Sequence, residues 1–347
     1  MRLLAVAISA FFVSVPAAKA ETLNLLIWES YISPKVIADF EAKTGIAIHQ
    51  TYYDSSDKRD EILAAPENRI DLVLVSEDSA GLFGKRGILE KLPDGRIAAL
   101  AEYPERFRSL CTAYGVPYLW GTMGIVYRTD KIAKAPESWL DLMQPDAALR
   151  GHVAMMDDYA DGLVPALIVL NQSTNSAEPA ILKKAFELMK QQAPFVRTYT
   201  YIVSSIQDPD FGKDLYMALA YSGDEKTLNG YAGQPGLWRY ALPASGTRAW
   251  LDCMAMTSAT PHRDAALAFL DYLASAPVAA ENAAALGMPP TNSRALPLLP
   301  AEMQQESERL SSETMIARGE FHTEFPSEAV QLRKRIFNTL VNFHDAR

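Results

Sequence analysis

The chain after position 20 begins with apolar runs that alternate with segments of helical spacing. The predicted strands are Leu23–Ile27, Ile46–Tyr53 and Ile70–Val75, and the predicted helices cover 33–43, 58–65 and 79–86. Gly45 and Gly87 follow the first and third helices, where a glycine commonly ends a helix. Strand–helix–strand repetition of this kind predicts an α/β fold with a parallel, doubly wound sheet.

A second set of elements follows residue 110. The predicted strands are Tyr114–Tyr118, Thr122–Arg128, His152–Met156, Phe195–Val203, Met217–Tyr221, Tyr240–Pro243 and Trp250–Met256. The predicted helices cover 138–143, 162–171, 181–191 and 210–215, and the chain from Arg263 onward is mostly helical. Leu119-Trp120-Gly121 is interpreted as a turn between the first two of these strands.

Two α/β units joined near 121–136 and again near 243–257 imply that the chain passes twice between two lobes. Such an arrangement leaves a ligand cleft between the lobes and a hinge that closes it. The predicted domains are a signal peptide at 1–20, lobe one at 21–123 with about 255–305, lobe two at 127–250, and a C-terminal helical segment at 306–347 that packs across both lobes.

The first twenty residues have the pattern of a secretion signal. Arg2 supplies positive charge, Leu3–Val15 is apolar, and Ala18-Lys19-Ala20 is a small-x-small cleavage pattern. We therefore expect cleavage after Ala20 and export of a soluble chain. The formal net charge of −9 becomes −11 once Arg2 and Lys19 are removed, which disfavours nucleic acid as a partner and favours a cationic ligand.

The two cysteines and five histidines bear on redox state and metals. Cys111 and Cys253 form a disulfide in one interpretation and are two buried thiols in the other; the sequence leaves both open. The histidines occur singly and none has the spacing of a metal site, so we expect neither a metal nor a cofactor.

Aromatic and acidic residues occur together at three places after predicted strands or turns. The three clusters are Trp28-Glu29-Ser30-Tyr31, Asp157-Asp158-Tyr159-Ala160-Asp161 and Trp250-Leu251-Asp252. Ligands of open α/β sheets bind beyond the carboxyl ends of strands. Aromatic faces attract positive charge and carboxylates accept N–H bonds, so the three clusters together predict a site for an organic cation.

These segments resemble the periplasmic polyamine-binding proteins that supply spermidine or putrescine to ABC importers. The matching segments are Ile27-Trp28-Glu29-Ser30-Tyr31, Phe40-Glu41-Ala42-Lys43-Thr44-Gly45-Ile46, Asp71-Leu72-Val73-Leu74-Val75-Ser76, Val116-Pro117-Tyr118-Leu119-Trp120-Gly121, Ser138-Trp139-Leu140-Asp141-Leu142 and Trp250-Leu251-Asp252. The resemblance covers nearly the whole mature length. It implies a two-lobed periplasmic-binding-protein fold of type II, a monomer, a location in the periplasm, and membrane permease subunits as partners.

The resemblance also implies a set of ligand-binding residues. They are Trp28, Tyr31, Ser76, Asp78, Asp158, Asp161, Tyr221, Trp250, Asp252 and His322. In the family, the carboxylates at the Asp158 and Asp252 positions bind ammonium groups, and the aromatics form a box around the ligand. The chain departs from the spermidine pattern where Ser30 replaces a glutamate, Asp78 a tyrosine, His322 a glutamine and Met288 a tyrosine. Both ends of the site are therefore altered, which leaves the identity of the amine open.

Three alternatives remain at this point. Relatives of the family bind 4-aminobutyrate or opines, whose carboxylate needs a basic partner; Arg197, Tyr199 and Tyr201 share a strand face and could supply one. Ferric-ion relatives use paired tyrosines, as in Tyr52-Tyr53, although adjacent strand residues face opposite ways. A glycoside hydrolase also combines aromatics and acids, but no catalytic motif of the common hydrolase, zinc or nucleotide types occurs, so an enzyme is not expected.

Overall fold

The computed structural model describes residues 21–53, 56–65, 67–311 and 319–346, so the predicted signal at 1–20 lies outside the described residues. Its strands are β1 Thr22–Trp28, β2 Ala47–Tyr53, β3 Leu72–Ser76, β4 Gly115–Arg128, β5 Val153–Ala154, β6 Val196–Thr198, β7 Met217–Tyr221, β8 Trp238–Ala241, β9 Thr247–Met256 and β10 Gly319–Glu320. Its helices are α1 Pro34–Thr44, α2 Ser56–Ala64, α3 Glu77–Lys85, α4 Glu105–Cys111, α5 Leu140–Met143, α6 Val164–Val169, α7 Pro179–Gln192, α8 Ile202–Ser205, α9 Pro209–Gly212, α10 Asp224–Ala232, α11 Arg263–Ala274, α12 Ala276–Leu286, α13 Ala301–Ser311 and α14 Ser327–Asp345. Short 3₁₀ turns cover Ala98–Glu102, Ala147–Leu149 and Leu296–Leu298.

The start, the end and the buried face of α1 follow from local residue types. Pro34 stands at its first position, where the missing N–H costs nothing, and Gly45 ends it with φ 73°, a left-handed conformation that glycine adopts without strain. Val36, Ile37 and Phe40 form the buried face.

The strands form a mixed sheet in the order β2-β1-β3-β9-β4-β7-β5-β6. Strands β2, β1 and β3 are parallel, as are β7, β5 and β6. The predicted parallel pairing is confirmed for β1, β2 and β3, whereas β9 and β4, which lie between the two parallel groups, run antiparallel to their neighbours. The two-lobed α/β fold itself is confirmed.

Strands β4 and β9 carry the chain between the lobes. Residues Gly115–Thr122 of β4 pair with β9, whereas Met123–Tyr127 pair with β7, so one strand belongs to both halves of the sheet. The predicted turn at 119–121 is therefore wrong. Residue 121 lies within β4 and is a glycine because the Trp250 ring packs directly against its backbone. A Cβ at this position would lie 2.5 Å from Cζ2 of that ring.

Separate hydrophobic cores lie on either side of the crossing strands. Lobe one, around β1–β3, is packed on both faces of its sheet, with Phe40 and Phe269 on one face and Phe83 and Phe107 on the other. Lobe two, around β5–β8, has its own buried groups on both faces. They include Trp139, Leu163, Met217 and Phe337 in one cluster and Val126, Ile202 and Trp238 in the other. The residue boundaries given above for the lobes stay a prediction.

A disulfide joins Cys111, at the end of α4, to Cys253 in β9, with Cα atoms 5.6 Å apart. This confirms the disulfide and excludes the interpretation as two free thiols. Both cysteines are fully buried in the Phe83 core of lobe one. The bridge therefore fixes β9, the strand that also carries Trp250 and Asp252, to the helical layer of lobe one.

Several predicted elements are shorter than expected or change type. The strand predicted at His152–Met156 covers two residues, and the one predicted at Phe195–Val203 ends at Thr198 and is followed by helix α8. After the undescribed residues 312–318, β10 pairs with β9 and places Phe321 against the lobe-one core, whereas α14 packs on α7 in lobe two. No helix within the described ranges is long and apolar enough to cross a bilayer.

Candidate functional site

The ten predicted ligand residues lie at the junction of the two lobes. Trp28 ends β1 and Tyr31 follows it; Ser76 ends β3 and Asp78 is in the first turn of α3; Asp158 and Asp161 follow β5; Tyr221 ends β7; Trp250 and Asp252 are in β9; His322 follows β10. Two of the three aromatic–acidic clusters lie at strand ends, as expected. The third lies inside β9, because that strand crosses the junction.

One end of the site, called the Asp252 end, consists of Asp252, Tyr31, Tyr118 and Trp28. The Tyr31 hydroxyl donates to Asp252 Oδ2 at 2.8 Å, and the Tyr118 hydroxyl donates to the Tyr31 carbonyl at 2.8 Å. Trp28 packs against Tyr53, with ring centroids 4.4 Å apart. In the described part of the chain, no lysine or arginine makes a salt bridge to Asp252. The Asp252 end therefore presents a carboxylate held in place by a neutral donor.

Burial gives Asp252 an unusual proton affinity. It raises the pKa of this carboxyl group to about 7, although the hydrogen bond from Tyr31 and the charge of Arg59 act in the opposite direction. Burial likewise raises the pKa of Tyr31, with Asp252 adding to the effect. Near neutral pH, Tyr31 is therefore protonated and donates its hydrogen bond. With a pKa of about 7, Asp252 is present both as the neutral acid and as the carboxylate, and a nearby cation favours the carboxylate.

The middle of the site is formed by Ser76, Asp78 and His322. The Ser76 hydroxyl donates to Asp78 Oδ1 at 2.6 Å, and His322 Nδ1 lies 3.5 Å from Asp78 Oδ2. Burial disfavours the ionised form of Asp78, but His322, Ser76 and Arg248 prevail, and the pKa of Asp78 is lowered. Burial and the Arg248 charge lower the pKa of His322 to about 4, although the Asp78 charge acts in the opposite direction.

The opposite end, called the Asp161 end, consists of Asp158, Asp161, Tyr221 and Arg248. The Tyr221 hydroxyl donates to Asp161 Oδ2 at 2.5 Å, and Arg248 Nη1 forms a salt bridge with Asp161 Oδ1. Asp158 Oδ1 accepts the backbone N–H bonds of Ala160 and Asp161, both at 2.7 Å. Burial, reinforced by the Asp161 charge, raises the pKa of Asp158 to about 6.

Trp250 connects the two ends. Its ring meets that of Tyr221 edge to face, with centroids 6.3 Å apart, and it lies between Arg248 and Asp252 on β9. Because strand residues two apart share a face, Arg248, Trp250 and Asp252 all point toward the site. The same spacing could have revealed Arg248 from the sequence, where Trp250 and Asp252 had already been selected.

Of Arg248 and Arg197, only Arg248 lies within the site. Arg197 pairs with Asp214 at 3.4 Å and lies over the Phe211 ring, away from the predicted ligand residues. Of the three residues considered together on that segment, Tyr201 approaches the site, with its ring 5.9 Å from that of Tyr221.

A buried glutamate, which no sequence pattern had indicated, links three segments at the site. Glu77 Oε1 accepts the backbone N–H of His322 at 2.9 Å, and Glu77 Oε2 accepts that of Leu251 at 3.1 Å. Burial raises the pKa of Glu77 to about 8, against the influence of Arg248. Glu77 thus holds α3, β9 and the C-terminal segment together at the junction.

Tyr52 and Tyr53 do not share a surface. Tyr53 is buried and its hydroxyl donates to the Leu74 carbonyl at 2.8 Å, whereas the Tyr52 side chain is 48% exposed. A pair of tyrosines on opposite sides of a strand has the wrong geometry for binding one ferric ion. Among the described residues no cluster of three or more His, Cys, Asp or Glu side chains has metal-binding geometry.

Known proteins are similar to this chain in sequence. Residues 35–310 match the family model described as bacterial extracellular solute-binding protein. A norspermidine sensor of Vibrio cholerae is 30% identical over 331 residues, covering 95% of this chain and 91% of the sensor. A putrescine/agmatine-binding protein of Pseudomonas aeruginosa is 28% identical, covering 92% and 90%.

A solved structure shows the same fold. The spermidine/putrescine ABC transporter substrate-binding protein PotD of Streptococcus pneumoniae has a TM-score of 0.79 at 22% identity, covering 93% of this chain and 99% of PotD. The resemblance to polyamine-binding proteins inferred from short segments is thus confirmed over the whole described chain. The protein belongs to the family of bacterial extracellular solute-binding proteins.

Proposed function

We propose that the protein captures a di- or polyamine between its lobes and delivers it to the membrane permease of an ABC importer. The observation that carries this proposal is the Asp252 end, where a half-buried carboxylate is bonded by Tyr31 and flanked by Trp28 and Trp250. A carboxylate–ammonium bond contributes about 1.5–3 kcal/mol net, and an aromatic face over the cation adds about 0.5–2 kcal/mol. The names of the norspermidine and putrescine/agmatine relatives support the same ligand class.

The location and the partners follow from the family. We propose that the signal at 1–20 is cleaved after Ala20 and that the mature chain acts in the periplasm as a monomer. Lobe closure over the ligand creates the surface that the permease recognises, because the two states differ in the relative position of the lobes. The predicted lobe boundaries, 21–123 with about 255–305 against 127–250, are part of this proposal.

A ligand with a carboxylate, such as 4-aminobutyrate or an opine, is the second candidate. Arg248 is the one observation that favours it, since the site does hold a buried guanidinium. Asp161 already pairs with that guanidinium, however, so a ligand carboxylate has to displace a carboxylate that is fixed to the protein. This competition makes the amine the better candidate.

We also propose that the bound compound is released unchanged. The candidate carboxylates are engaged by tyrosines, a guanidinium or backbone N–H groups in ways that orient a cation, and Asp158 and Asp161 lie close together on one loop. Incubation of the protein with its ligand followed by mass spectrometry of the small molecule tests this: a product peak contradicts it.

Titration calorimetry tests the ligand class. We expect putrescine, spermidine, agmatine or cadaverine to bind with a dissociation constant of micromolar or tighter, about −8 kcal/mol. Absence of heat with all four amines contradicts the proposal. Binding of 4-aminobutyrate in their place establishes the second candidate.

A further inference from the structure

Arg248 is a buried cation at one end of the proposed cation-binding site. Its side chain is 8% exposed, and its salt-bridge partner Asp161 is 14% exposed. Asp161 belongs to lobe two, whereas Asp78, whose negative charge also acts on Arg248, belongs to α3 of lobe one. The guanidinium thus lies among carboxylates contributed by both lobes, as a ligand ammonium in the cleft does.

Both oxygens of Asp161 are already engaged. Oδ1 pairs with Arg248 and Oδ2 accepts the Tyr221 hydroxyl. The charge of Asp161 is therefore compensated from within the chain, unlike that of Asp252. An arginine keeps its charge at any physiological pH, so Arg248 neutralises the Asp161 charge over that whole pH range.

The pair also resists displacement by a ligand. A ligand ammonium that took Asp161 would leave a buried guanidinium without its counter-ion, and breaking a buried pair costs more than the pair itself contributes. A ligand ammonium brought near Arg248 while the pair persists meets like charge instead, in surroundings where screening by water is weak.

Resting on the proposed amine function, we propose that Arg248 is a built-in cation that closes the Asp161 end of the cleft and restricts the ligand to short diamines. One ammonium of the diamine is held by Asp252 and Tyr31. The alkyl chain lies along Trp250, and the second ammonium is held in the middle of the site by Asp78, with Asp158 beyond it. A third ammonium, as in a triamine, has to share the region of Asp158 with the Arg248 guanidinium, which repels it.

Arg248→Met tests this, because methionine keeps much of the apolar stem and removes the charge. Putrescine and spermidine are titrated by calorimetry into the wild type and the variant at one pH and one salt concentration. We expect the wild type to favour putrescine, and the variant to shift the ratio of the two affinities toward spermidine by tenfold or more. Arg248→Lys, which keeps the charge, should retain the wild-type preference.

Arg197→Met is the matched control. Arg197 pairs with an aspartate and contacts an aromatic ring, as a residue of the site would, but lies away from the predicted ligand residues. Its removal should leave the putrescine-to-spermidine ratio unchanged. An equal shift in this control, or no shift in Arg248→Met, overturns the proposal.

The wild type alone provides a second test if Arg248→Met does not fold. The wild type should bind unbranched diamines more tightly than triamines, which carry a third ammonium. A wild type that binds spermidine more tightly than putrescine overturns the built-in cation but leaves the proposed function intact. A wild type that binds no amine overturns the proposed function itself, and 4-aminobutyrate binding that is lost in Arg248→Met identifies Arg248 as a carboxylate receptor instead.

Discussion

The two ends of the site share a motif and differ in charge. At each end a tyrosine hydroxyl donates to an aspartate, Tyr31 to Asp252 at 2.8 Å and Tyr221 to Asp161 at 2.5 Å. Only Asp161 also has a guanidinium partner, Arg248. The same tyrosine–aspartate pair therefore leaves the aspartate charge available at one end and has it neutralised by an arginine at the other.

The comparison shows why residue type alone does not identify a ligand contact. Asp161 and Asp252 have the same chemistry, yet of these two carboxylates only Asp252 lacks a guanidinium partner within the described residues. Burial without a counter-ion raises the pKa of Asp252 to about 7, and this shift is the physical sign of a carboxylate that a cationic ligand would stabilise.

The largest expected effect concerns the strand that supports the Asp252 end. Replacing Cys111 and Cys253 together by alanine should lower the free energy of unfolding by about 2–4 kcal/mol, because the bridge closes a loop of 142 residues. Denaturant unfolding of the variant and of the oxidised wild type measures this difference. Equal midpoints and slopes for the two proteins contradict the prediction, and the wild type unfolded under reducing conditions serves as the control.

Removing the available charge should weaken binding next most strongly. Asp252→Asn keeps the size of the side chain and removes the anion, so we expect affinity for the amine to fall about tenfold to a hundredfold, or about 1.5–3 kcal/mol. Asp157→Asn is the control, since Asp157 is exposed on the Asp158 loop. Calorimetric titration measures both, and an unchanged affinity in Asp252→Asn contradicts the cation site.

The pH dependence of affinity should come mainly from the same residue. Protons compete with the ligand for Asp252, whose pKa is about 7, so lowering the pH from 7.5 to 6 should weaken binding about eightfold. In Asp252→Asn the dependence should shrink to the smaller contribution of Asp158, whose pKa is about 6. A wild-type affinity that stays constant over this range contradicts the assignment.

The stability of the ligand-free protein should change with pH in the opposite sense. The pKa of an unfolded aspartate is about 3.9 and that of the folded Asp252 is about 7. Between these pH values the folded state therefore binds one proton more than the unfolded state. This contribution to stability is therefore present at low pH and is lost as the pH rises toward 7. The difference in unfolding free energy between the wild type and Asp252→Asn, measured without ligand at several pH values, reports it.

The smallest expected effect on affinity comes from removing the hydroxyl that donates to Asp252. Tyr31→Phe removes the donor that favours the anion, so affinity at neutral pH should fall about twofold to tenfold, as for one hydrogen bond of about 0.5–1.5 kcal/mol. The loss should shrink at pH 8.5, where Asp252 is ionised without help. Tyr52→Phe, on the exposed side of β2, is the control and should bind as the wild type does.

Local patterns in the sequence predicted much of lobe one and selected residues that the structure places together at the junction of the lobes. The Pro34 start and Gly45 end of α1 are local signals, and β7 has the predicted bounds. Each aromatic–acidic cluster is contiguous in sequence, and the resemblance to polyamine-binding proteins assigned the three clusters to one site. The predicted turn at Gly121 was wrong because a glycine demanded by the ring of Trp250 has the same signature as a glycine demanded by a turn.

The sequence by itself determined the α/β class, the export signal as an expectation, and the residue types of a cation site, because these depend on composition, short-range periodicity and contiguous segments. Only the tertiary structure decided that β4 and β9 are continuous between the lobes, that Cys111 reaches Cys253, and that Arg248 pairs with Asp161. Such pairings join residues 87 to 142 positions apart, and no local pattern specifies which distant partner a buried charge or thiol will meet.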